Sequence, residues 1–184
     1  ALWLSGARVY PESLLGFCRD PGAQFASPPD WYVEYICNLA LEWPAFEAAA
    51  GEKYTQSGGD LWNPMTAPGI IAAMPMAPDG ARLFGDLGLA AVKMPVMMIA
   101  ASEDEMIMGD LETRFIFEHL GSTEKTLVTF MDQSHMMIDD PLPRSWMRHF
   151  SAAFFGVHLQ GQSDYARYYS AGYLSDHPEF SILP

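Results

Sequence analysis

The sequence is poor in positive charge. Ten Lys and Arg stand against 23 Asp and Glu, for a net charge of −13 over 184 residues. An acidic surface repels phosphate backbones and no basic cluster is present, so neither nucleic acid nor an anionic membrane is an expected partner. No apolar run reaches the length of a membrane-spanning helix. The opening, ALWLSGARVYPESLL, has no basic stretch or cleavage site of a secretory signal and no initiator Met, which suggests a fragment or a processed product. There is no Gly-rich phosphate-cradling loop, which argues against a flavodoxin-like module. Cysteine is scarce as well. Cys18 and Cys37 are the only two, without CxxC spacing, so neither a zinc site nor any other metal or cofactor is expected. The pair allows one bridge, closing a loop of about 20 residues and contributing about 3 kcal/mol. It is equally compatible with two buried thiols. A bridge would favour an exported protein, periplasmic or secreted.

What is present is a globular composition. Hydrophobic residues make up 49% and charged residues 18%. The first residues read as a short helix ending near Arg8, then a Pro-started turn and a second helical piece to Phe17. Residues 19–31, with Pro21, Gly22, Pro28 and Pro29, read as a loop. A helix over 31–50, capped by Asp30, follows from the three- and four-residue recurrence of Tyr32, Tyr35, Ile36, Leu39, Trp43 and Phe46. Residues 51–68 read as another loop.

The pattern then changes. GIIAAMPM (69–76), KMPVMMIAA (93–101) and TLVTFM (126–131) are short apolar runs, the mark of strands buried on both faces. Helical patterns at 82–91 and 109–120 separate them, and a longer helix, 143–155, follows. This alternation predicts an α/β fold with parallel strands and right-handed crossovers. Residues 161–184 read as a tail wrapping the surface.

In open α/β sheets reactive groups sit just past the C-terminal ends of strands. One run leads into Ser102-Glu103-Asp104-Glu105, the next into Asp132-Gln133-Ser134-His135. An acid after one strand and a histidine after the next have the chain order of a nucleophile–acid–base triad, whose first member would lie upstream. Imidazole takes and returns a proton near neutral pH, and a carboxylate on its far nitrogen fixes the tautomer. Asp104 and His135 are therefore the candidate acid and base. His119, His149, His158 and His177 fall at helix ends, within a helix or in the tail, and are read as structural.

These stretches carry a resemblance. GIIAAMPMAP, LFGDLGLAAVKMPVMMIAASEDEMI, LGSTEKTLVTFMDQSHMMI and FSAAFFGVHLQGQSDYARYY resemble, in order, the C-terminal part of the α/β-hydrolase superfamily. They come nearest to the dienelactone-hydrolase and platelet-activating-factor-acetylhydrolase-like esterases. The resemblance implies a partial α/β-hydrolase domain, a serine-type ester hydrolase without cofactor, with Ala101, Ser102-Glu103 and Asp104 as the strand-end acid motif. The Gly-x-x-His motif is met by Asp132-Gln133-Ser134-His135, with Asp in place of Gly. ALWLSGARV resembles the helix after the family's nucleophile elbow, but Gly-x-Ser-x-Gly itself is absent. Ser5, within that helix, and Ser57, with no strand before it, are rejected as nucleophiles. The serine would then lie on an N-terminal half, upstream or on a second chain. Residues 17–68 would form a lid or insertion on a core over 69–160. There Tyr32, Tyr35, Trp43 and Trp62 either line a pocket or pack the insertion down. Met106, Ile107, Met136 and Met137 flank the acid and base and are candidate substrate contacts. The alternative to an enzyme is a non-catalytic half-domain serving as an assembly or binding partner.

Overall fold

The computed structural model describes residues 1–24 and 27–183. Positions 25, 26 and 184 lie outside it, so the expected 19–31 loop and the tail are described without them. The fold is α/β. Strands β1 (Val96–Ala101) and β2 (Lys125–Phe130) pair in parallel, with Val96 opposite Lys125 and Ala101 opposite Phe130. The alternating residues of β1 enter two different cores. Val96, Met98 and Ala100 join one formed with the helices α1 (Pro11–Arg19), α3 (Asp30–Leu41), α4 (Trp43–Ala50), α6 (Ala81–Leu89) and α7 (Phe115–His119). Met97, Ile99 and Ala101 join one under α8 (Pro141–Gln160). All six β1 residues are buried, as the unbroken apolar run predicts. Two single-turn helices, α2 (Pro21–Gln24) and α5 (Glu52–Thr55), lie in the expected loops.

Four expectations need correction. The 69–76 run is an irregular edge rather than a strand. It touches β1 through parallel bridges at Ala73 and Met76, and Ala73 N–H donates to Pro95 O while Ala77 N–H donates to Ile99 O. Between them Pro75 accepts from Ile99 N–H but has no N–H to give, so the ladder loses a bond. On the other side of this edge the backbone groups of Ala72, Met74 and Met76 make no hydrogen bond among the described residues.

Second, the opening segment makes one helical turn and stops. Gly6 N–H donates to Trp3 O and Ala7 N–H to Leu2 O, a Schellman cap that needs the positive φ (110°) of Gly6. Residues 7–10 then run extended into the first core, where Ala7 and Val9 are buried.

Third, the helix expected over 31–50 breaks into α3 and α4 at Glu42, because Pro44 starts a new helix rather than continuing the old one. Fourth, the tail contains a strand, β3 (Phe180–Leu183), antiparallel to β2, so the sheet is mixed. The remainder of the tail is a 3-10 segment (Ser163–Tyr169) and a short helix, α9 (Ala171–Leu174).

Cys18 on α1 and Cys37 on α3 form a disulfide, with Cα atoms 5.6 Å apart. Tyr32, Trp43 and Trp62 are buried in the first core, whereas Tyr35 stays exposed, so three of these four candidate pocket aromatics serve packing. No helix among the described residues is long and apolar enough to cross a membrane.

Candidate functional site

Parallel pairing puts the C-terminal ends of β1, β2 and the 73–76 edge on the same side of the sheet. The loops leaving β1 and β2 are sewn together at once. Ser102 N–H donates to Phe130 O at 2.9 Å, Glu103 N–H to Gln133 O at 2.9 Å, and Asp132 N–H to the Ser102 hydroxyl at 2.8 Å. Across this seam His135 Nδ1 lies 3.0 Å from both Oδ1 and Oδ2 of Asp104. Asp104 Oδ1 also accepts the N–H groups of Met106 (2.9 Å) and Ile107 (2.8 Å). The carboxylate side chain is 6% exposed and the imidazole 22%. The acid is thus fixed by its own loop before it meets the histidine. The histidine keeps Nε2 on the accessible side, with no hydrogen bond among the described residues.

Glu105, the next acid, holds the histidine loop from the backbone. Its Oε2 accepts His135 N–H at 3.1 Å, and that bond keeps its carboxyl below the usual range. Asp132 has φ of 56°, the left-handed region that glycine occupies without strain. This accounts for the Gly position in the resembling motif. Asp132→Gly is expected to raise stability by about 0.5 kcal/mol, and Asp132→Val to lower it by about 1–2 kcal/mol. Urea unfolding of the two variants checks this, and equal midpoints would contradict it.

The four apolar neighbours separate. Met106 and Met136 are more than half exposed beside the acid and base, and Ile107 is half-buried. Met137, by contrast, is buried in the core under α8. Its place there is packing, and only the other three border the accessible side. The two rejected serines are held elsewhere. Ser5 is buried and donates to Leu2 O at 2.9 Å, while Ser57 closes an exposed turn with Gly59. No cluster of three or more His, Cys, Asp or Glu suited to a metal occurs among the described residues.

A second polar centre lies on the helix that follows the acid loop. The π-helical turn Gly109–Arg114 turns Glu112 inward, where it is 2% exposed. One oxygen accepts the Tyr32 hydroxyl, and the other accepts Gly80 N–H (3.0 Å) and Ala81 N–H (2.7 Å) at the start of α6. Burial pushes the Glu112 carboxyl up to about 7. Burial, and secondarily Glu112, raises Tyr32 as well, while burial lowers the neighbouring Arg82 guanidinium. The cluster ties α3, α6 and the acid-loop helix together. A sequence signal existed: Glu112 and the fully buried Ile116 are four apart, on one helix face.

No protein-family model matches this sequence, nor does any curated protein. Among solved structures, the crystal structure of a monoacylglycerol lipase from Paleococcus ferrophilus is similar over 35% of this chain and 25% of that chain. The identity is 23% and the TM-score 0.32. The matched part spans a quarter of that lipase, and a superposition this loose carries no argument about activity.

Proposed function

We propose that this chain supplies the acid and the base of a serine-type carboxylic-ester hydrolase of the α/β-hydrolase kind, with Asp104 orienting His135 and His135 acting as general base and then general acid. The observation that carries the reading is the contact of Asp104 with His135 Nδ1 at 3.0 Å, from loops at the ends of adjacent parallel strands, with Nε2 left toward solvent. A base bound this way accepts a proton only at Nε2, which is where a serine hydroxyl would approach. No hydroxyl among the described residues is bonded there. The nucleophile, and with it the oxyanion donors, would come from outside these 184 residues, on an upstream segment or a second polypeptide. The open backbone of Ala72, Met74 and Met76 offers a parallel strand of such a segment a place to pair. The same edge suits the second reading, a half-domain that only binds a partner, in which the acid and base no longer turn over. The ester's two halves would be small-molecule groups contacted by Met106, Ile107 and Met136, and the disulfide suits an exported protein.

A fluorophosphonate probe separates the readings. Native material is expected to label on a serine that peptide mapping places outside residues 1–184. Labelling of Ser57 or any other serine of this chain, or none at all, would overturn the assignment.

A further inference from the structure

Beyond the acid and base, an apolar recess lies between α1, α3 and α6. It is a cavity of about 390 Å³ walled by Leu14, Ile36, Leu39, Leu83 and Phe84. That volume lies in the range of small-molecule sites, and its lining is that of one. At its open side stands Tyr35, 54% exposed, donating to Asp79 Oδ2 at 2.6 Å, while Asp79 Oδ1 accepts Gly80 N–H. A second cavity of about 330 Å³ adjoins it, bordered by Trp3 and residues 75–78, and the two share Asp79 and Phe84. Residues 77–80 leave the 73–76 edge at the end of the sheet from which the Asp104 and His135 loops also leave. The second cavity lies beside this exit; the first, the apolar trough, lies between the helices.

Its chemistry limits the occupant. Most of the lining is hydrocarbon, which favours an alkyl chain over a polar one. Tyr35 and Asp79 satisfy each other at the mouth. Arg82, also on the lining, stacks its guanidinium 4.0 Å over the Phe115 ring and donates to Leu111 O. The Asp79 carboxylate and the overall net charge of −13 repel an anionic head. The Cys18–Cys37 bridge clamps α1 to α3, the two helices that supply Leu14, Ile36 and Leu39, so the spacing of these walls is fixed before anything binds.

We infer that this trough binds the alkyl chain of a neutral amphiphile. Naming that chain as the acyl part of the ester rests on the hydrolase reading. The alkyl site itself does not, and it is tested without turnover.

The probe is 1-O-dodecylglycerol, a neutral ether that no esterase cleaves, titrated below its micelle concentration into the full oxidised protein by calorimetry. Saturable one-to-one binding is expected, with dodecanoate at least tenfold weaker. Leu39→Trp and Leu83→Trp fill the recess from opposite walls. Either one, with its far-UV circular dichroism and disulfide retained, is expected to weaken the ether at least tenfold. Leu159→Ala, exposed on α8 and away from both cavities, is expected to leave it within twofold. No saturable binding, dodecanoate binding as tightly as the ether, or affinity within twofold of wild type in both tryptophan variants would each overturn the assignment. Loss of fluorophosphonate labelling with ether binding intact would instead sink the hydrolase reading and leave the alkyl site standing.

Discussion

Replacing His135 by alanine in the catalytically competent protein is expected to cut ester turnover by at least about 10³-fold and leave the fold in place. The expectation has two parts because the geometry separates them. On the proposed reading turnover needs a base at Nε2, and the other histidines are engaged elsewhere. His119 stacks on Phe115 and bonds its carbonyl, His149 and His177 sit in the aromatic cluster around Trp146, and His158 lies against Glu124. Stability needs Asp104 to keep hydrogen-bond donors, and it retains the N–H groups of Met106 and Ile107 when the imidazole is gone. The loss of stability is therefore expected to stay near 1 kcal/mol. Asp104→Asn is expected to lower turnover as steeply, since an amide can hold the wrong tautomer. Initial rates on a p-nitrophenyl ester, with urea unfolding alongside, check both. Retained turnover in the alanine variant would remove His135 from the mechanism.

The second large effect is structural. Glu112→Ala is expected to cost about 3–5 kcal/mol, because it takes the acceptor from the Tyr32 hydroxyl and from Ala81 N–H, leaves Gly80 N–H to Asp79 alone, and removes one of the anions, Asp86 being another, that offset the buried Arg82 charge. Since burial raises this carboxyl from 4.5 to about 7, the folded state binds the proton more tightly than the unfolded chain. Between those two pH values the native protein holds more protons, so stability falls as pH rises. The stability of wild type minus that of Glu112→Gln is expected to be flat below pH 4.5, to decline by about 3 kcal/mol as pH rises to 7, and to be flat beyond it. The subtraction removes the repulsion of the other acids. A difference that rises with pH, or a variant as stable as wild type throughout, would contradict the sign.

These two centres differ in how far the sequence exposes them. Asp104 and His135 stand three and five residues past the ends of β1 and β2, and the apolar character of these two short runs is legible without a structure. β3 was not, because only Phe180 of its four residues is buried and its pairing partner lies some fifty residues earlier. The edge at 69–76 read as a strand since its apolar run is as strong as that of β1; Pro75 alone degrades the ladder. The opening helix failed for a similarly local reason, a glycine that caps after one turn. Glu112 and Arg82 are not legible as buried, because charged residues on helices are usually solvated; for Glu112 only its four-residue spacing from the buried Ile116 marks it as inward.

The orientation of His135 by Asp104 is read most directly by nitrogen-15 NMR of the imidazole in the folded protein. The neutral ring is expected to carry its proton on Nδ1, leaving Nε2 bare, and Asp104→Ala is expected to move the proton to Nε2. A wild-type ring protonated at Nε2, or a tautomer unchanged by the substitution, would contradict the account.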